Sequence, residues 1–166
     1  MQIIDLLIRW LHVTAAVAWI GGNLILAMVI VPYFKRSVAP VERIRILTRI
    51  GKRFEPIVWV CVMILFFTGL FNVFRAIGGD SEAIKLFLRT LGIKLILFFI
   101  LVILTWIHGF IMGPRLRQAV EALDPETQEL PEEIDKMRRS MAIVSSLMGV
   151  VSLLVLLAAV ALRMGI

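Results

Sequence analysis

Four stretches of the chain are apolar over membrane-spanning lengths: about 3–34, 57–74, 86–112 and 141–162. As helices they each cover the roughly 30 Å of hydrocarbon that about 20 apolar residues can span. The pattern predicts an all-α fold. It is an integral membrane four-helix bundle in one domain, with spans at about 5–34, 56–76, 87–113 and 140–163. The first stretch is too long for the apolar part of a signal peptide and carries His12 and Asn23 inside it, so it is expected to stay as a helix.

Two segments between the spans have helical patterns of their own. Residues 40–54 are apolar at Val41, Ile44, Leu47 and Ile50, with basic residues between. This predicts an amphipathic helix lying on the membrane surface. Pro40 suits its first turn, and Pro56, preceded by Glu55, is expected to open the second span. Residues 118–140 run from acidic to basic. A break at Asp124–Pro125 and a restart at Pro131, followed by Glu132 and Glu133, predict a helical hairpin that projects beyond the bilayer. Gly78–Gly79–Asp80–Ser81 reads as the turn between spans two and three.

The polar positions inside the spans carry the candidate chemistry. Asp5, His12, Trp19 and Asn23 fall on one stripe of the first helix, and Lys94, Thr105, His108 and Met112 on one stripe of the third. Such stripes face protein, because an unpaired polar group in hydrocarbon is costly. Depth sorts these groups into two sets. His12 and Lys94 lie early in helices that run the same way, and Asn72 lies late in one that runs the other way. All three therefore occupy one half of the bundle, ringed by Arg9 and Arg75, with Arg89 and Arg163 nearby. His108 falls in the other half, where Glu55, Ser145, Met112 and Met148 are its expected neighbours. At 1.5 Å per residue the two histidines are separated by roughly 20 Å of depth. They are not expected to ligate one metal within a chain, although a homodimer brings equivalent histidines to one level.

Charge fixes an expected orientation. Of the 18 Lys and Arg, twelve fall in the loops after helices one and three and six at the other end. By the positive-inside rule both termini are extracytoplasmic and the protein sits in the cell's inner (plasma) membrane. The net charge of +6 is thus an anchoring signal and not a nucleic-acid footprint. The single cysteine, Cys61, rules out an intramolecular disulfide and a cysteine-based metal site. Eight methionines permit a thioether path for copper, but there is no H-x-x-M spacing and no repeated M-x-x-x-M array. No nucleotide loop, hydrolase triad or HExxH motif is present.

Two segments resemble a known group. RWLHVTAAVAWIGG resembles the first helix of the CopD-like membrane family. LGIKLILFFILVILTWIHGFIMGPRL resembles the third helix of that family and of the related HemJ-type protoporphyrinogen oxidases. The resemblance implies a membrane protein associated with haem b, in which His12 matches the family's first-helix histidine and Lys94 its third-helix lysine. The chain departs from the HemJ type in its WIGG segment and its acidic second loop.

The leading expectation is therefore a haem b protein acting in electron transfer, or as an oxidoreductase on a porphyrin, quinone or other lipophilic substrate. His12 would ligate iron and His108 would serve as a further metal ligand. Lys94, Asn72, Arg9 and Arg75 would line the cofactor pocket. The alternatives are copper transport or membrane copper binding, and a non-catalytic structural subunit.

Overall fold

The computed structural model describes residues 2–76, 81–124, 126–127 and 129–164, without the side chains of 75–76 and 81–87. Gly78–Asp80 of the expected turn, Pro125 and the side chain of Arg75 lie outside the described residues. Four long helices and no strand make up the described chain, and all four are long and apolar enough to cross a membrane. Helix α1 is Gln2–Ser37, α2 is Pro40–Ala76, and α4 is Glu132–Met164. Helix α3 runs from Ser81–Trp106 through Ile107–Met112 to Gly113–Glu121.

The helices alternate in direction, so the connections after α1 and α3 meet at one end of the bundle (the loop end) and the termini meet at the other. The central core takes Ala15 and Trp19 from α1, Val58, Cys61, Val62 and Leu65 from α2, Leu101 from α3, and Met148 and Val151 from α4. Outward, large apolar side chains such as Val17, Met28, Phe67, Ile96, Ile103 and Leu157 are exposed. A soluble protein rarely presents so much apolar surface. In a bilayer, lipid tails cover it at no cost.

The amphipathic segment forms its expected helix but does not lie flat on the membrane. It is the first half of α2, a single 37-residue helix with Pro56 inside it. Its apolar side meets the projecting ends of α3 and α4. Val41 and Ile44 are buried against Leu116, Val120 and Ile134, forming a second core at the loop end. The same apolar stripe that would contact lipid headgroups is satisfied better by two neighbouring helix ends. Pro56 lacks the N–H that would bond the carbonyl of Lys52. The helix continues through this one missing bond. Residues 122–124 leave α3 at the loop end. Arg45 donates to the carbonyls of Leu123 (3.4 Å) and Asp124 (3.5 Å), bringing a cation to the negative C-terminal end of α3.

Helices α1 and α3 each contain π-helical turns: Val17–Gly21 and Leu26–Ile30 in α1, and Ile107–Met112 in α3. Such turns shift the face that a helix presents and occur often at functional sites. Between the two turns of α1 stands Gly22, where a Cβ would collide with the ring of Phe54. Trp19 sits in the first turn and is 1% exposed, edge-on to Phe98 with ring centroids 6.3 Å apart.

Candidate functional site

Two histidine sites occupy the two halves of the bundle, and both follow one design. At the terminal end, His12 of α1 reaches α2, where its Nδ1 lies 2.7 Å from Thr68 Oγ1. The Thr68 hydroxyl donates its proton to the carbonyl of Ile64, 2.5 Å away in its own helix. That oxygen therefore offers only a lone pair to the imidazole, so Nδ1 carries the hydrogen and Nε2 is left as an acceptor. Gly69, the next residue of α2, leaves room for the ring, since His12 Cε1 is 3.6 Å from where a Cβ would stand.

Lys94 of α3 is half-buried and lies within coulombic reach of His12. The structure thus brings His12 and Lys94 to one level, on different helices. Asn72 is half-buried one turn beyond Thr68, towards the terminal end. The partner of His12 is Thr68, a residue not singled out from the sequence. Its signal was available, since Thr68 is a hydroxyl in an otherwise apolar run, one turn from Asn72 and beside Gly69. Arg9 is exposed at this end.

At the loop end, His108 lies in the π turn of α3 and its Nδ1 is 3.4 Å from Ser145 Oγ on α4. Ser145 donates to the carbonyl of Met141 at 2.9 Å. Again the hydroxyl proton is committed to the backbone, and the imidazole N–H is the donor. Glu55 of α2 approaches the next residue, Gly109, with Oε1 3.1 Å from where a Cβ would stand. Of the expected neighbours of His108, Ser145 makes the contact. Glu55 packs against the adjoining residue, and Met148 belongs to the central core.

The separation of the two sites can be read along α2. Thr68 marks the His12 level and Glu55 the level of Gly109, thirteen residues apart. At 1.5 Å per residue this is about 20 Å. The histidines of one chain do not share a metal. Among the described residues no group of three or more His, Cys, Asp or Glu side chains is arranged to hold a metal ion. Each site therefore offers one or two strong donors and open coordination positions, not a closed cage.

The architecture is that of a multi-pass membrane protein with two intramembrane imidazoles, each oriented by a hydroxyl on a neighbouring helix. Residues 48–161 match the family Copper resistance protein D, and the chain belongs to that family. The matched segment covers most of α2, all of α3 and most of α4, including Glu55, Thr68, Lys94, His108 and Ser145, and begins beyond His12. An uncharacterized protein of Aquifex aeolicus (strain VF5) is 33% identical over 110 residues, which cover 66% of this chain and 71% of that relative. No solved structure is a significant match.

Proposed function

We propose that the protein handles copper within the membrane, binding the ion as cargo at His12 Nε2 in the terminal-end half of the bundle. One observation carries the reading. The Thr68 bond makes Nδ1 the donor of His12, so that in the neutral imidazole, the form that metals bind, Nε2 carries the lone pair, in a chain of the Copper resistance protein D family. Copper at this site has few protein donors, which suits an ion that must leave again. With the basic loops in the cytoplasm, His12 lies nearer the extracytoplasmic face of the plasma membrane. Copper movement into proteoliposomes is the test. Uptake that exceeds that of empty vesicles and falls at least tenfold in His12→Ala supports the reading, and uptake indifferent to His12 rejects it.

A second reading keeps haem b at the same place. What favours it is that a second nitrogen base, Lys94, lies within coulombic reach of His12. In that arrangement His12 and Lys94 would hold the group, and Arg9 would meet its carboxylates. The group would supply one-electron chemistry, on a porphyrin, quinone or similar lipophilic substrate. A Soret band in protein purified from haem-replete cells, lost in His12→Ala, supports it. A colourless protein that stays colourless after haem addition rejects it.

A further inference from the structure

Between α3 and α4, at the terminal end, lies a groove of about 420 Å³ that His12, Thr68 and Lys94 do not line. Small side chains on α4 open it: Ala158 is buried at its floor, and Ala161 is half-buried nearer the end of the helix. Ile93 of α3 and Leu157 of α4 line it and are exposed, so it opens sideways to the hydrocarbon. Its volume is in the range of small-molecule sites.

The length of the groove narrows the choice of occupant. Its α3 wall runs from Arg89 to Leu97, eight residues, and its α4 wall from Ala161 to Leu154, seven residues. At 1.5 Å per residue each wall is roughly 10–12 Å long. That is most of one leaflet, half of the roughly 30 Å of hydrocarbon. A membrane helix from a second copy would cross both leaflets and need a seam of full length. A single lipid chain needs only this depth.

The outer end of the groove is charged. Arg89 lines it, is exposed, and enters no ion pair among the described residues. The ion pairs of the described residues involve Glu42, Glu121, Glu132 and Asp135, all at the loop end. Arg89 also belongs to the end with fewer basic residues, so anchoring by the positive-inside rule does not account for it. A guanidinium above an apolar trough complements an anionic head on a hydrocarbon tail. The tail fills space that would otherwise forfeit packing, but walls as apolar as lipid do not choose among lipids. Arg89 supplies the choice, because its fork matches a phosphate. In a zwitterionic lipid the headgroup's own cation competes for that phosphate, which favours a head with net negative charge.

From this we infer that the groove binds one anionic phospholipid of the terminal-end leaflet, with its phosphate on Arg89 and one acyl chain against Ala158. The lipid ties α3 to α4, whatever His12 binds.

The experiment uses the full chain, stripped of lipid in detergent and titrated with phosphatidylglycerol or phosphatidylcholine in mixed micelles. Native mass spectrometry and thermal unfolding are the readouts. Phosphatidylglycerol should bind as one molecule per chain and raise the melting temperature more than phosphatidylcholine, since a ligand of the folded state stabilises it. Arg89→Gln should weaken phosphatidylglycerol about tenfold, the loss of one hydrogen bond to a charged group, and bring it level with phosphatidylcholine. Arg163→Gln removes the same charge at the same end from a residue outside the groove, and should keep the preference. Ala161→Phe, which fills the trough, should lose both lipids; Arg89→Gln, at an exposed position, keeps the test independent of how that variant folds. Equal binding of the two lipids by wild type, an equal loss from Arg163→Gln, or the same shift from inorganic phosphate alone would overturn the site. So would a dimer that Ala161→Phe dissociates, since a second copy would then hold the groove.

Discussion

His12 on α1 and Thr68 on α2 are joined by a 2.7 Å hydrogen bond between residues 56 positions apart. Because Thr68 spends its own proton on the carbonyl of Ile64, the bond also selects the imidazole tautomer. Thr68 is thus a positioning residue. Thr68→Val keeps the shape and removes the acceptor. We expect copper affinity at His12 to fall about 10–100-fold, the usual effect of losing a partner to a ligating histidine. Stability should change by only about 0.6 kcal/mol, the average for such bonds in a membrane bundle. Thr68→Ser should restore affinity; if Thr68→Val binds copper like wild type, the bond has no role.

Lys94 separates the two readings of the His12 site. A cationic ammonium near a bound metal ion repels it. As copper cargo site, His12 should bind at least as tightly in Lys94→Gln as in wild type. If Lys94 is a ligand, as the haem reading needs, Lys94→Gln loses the bound group instead. Titration of both proteins with copper and with haem decides between them.

The loop-end core predicts a stability effect that a surface-lying helix would not show. Ile44 is 3% exposed, packed among Leu116, Val120 and Ile134. Ile44→Ala should cost about 2–5 kcal/mol, as large-to-small changes in a core do. Thermal unfolding in detergent measures it. A helix resting on lipid would tolerate the change with no loss in detergent.

At Gly22 the ring of Phe54 occupies the space that a side chain would need. Gly22→Val should destabilise by about 1–3 kcal/mol through overpacking. The double variant with Phe54→Ala should recover part of that loss, and strictly additive effects would show that the two residues are not in contact.

The hairpin ion pairs should matter little. Asp135 accepts from Arg138 at 2.8 Å and Arg139 at 2.7 Å, and these guanidinium groups hold its carboxyl below the usual carboxylate range. A depressed folded pKa contributes stability above the unfolded value, and that contribution is lost as pH falls through the folded one. The pairs sit at the surface and are screened. Asp135→Asn should therefore melt close to wild type at pH 7, and the small difference should begin to shrink near about pH 4 and disappear as pH falls through the lower value of the folded carboxyl. A large difference at neutral pH would mean that the hairpin depends on this carboxylate.

Much of this was legible in the chain. Long apolar runs announce four spans, since nothing but a bilayer or a large core accepts them. The depth of His12, Lys94 and His108 followed from helix direction and rise alone. What the pattern left open was what a stripe faces. Residues 40–54 have the same amphipathic profile whether lipid or two helix ends cover them. Pro56 reads as a start because proline commonly opens helices, yet α2 runs through it as one 37-residue helix. The π turns have no residue signature, so the pairing of His108 with Ser145 and of Gly109 with Glu55 emerged only with the fold. Thr68 was overlooked because a lone threonine in an apolar helix commonly bonds only its own backbone, as its bond to Ile64 also does.

The central claim, that His12 binds copper through a free Nε2, is tested most directly by counting copper on the purified protein. Wild type and His12→Ala, both folded by size-exclusion and melting, are equilibrated with copper and analysed for bound metal. The account predicts that His12→Ala loses one equivalent relative to wild type. Equal copper on the two proteins, or none on either, would contradict it.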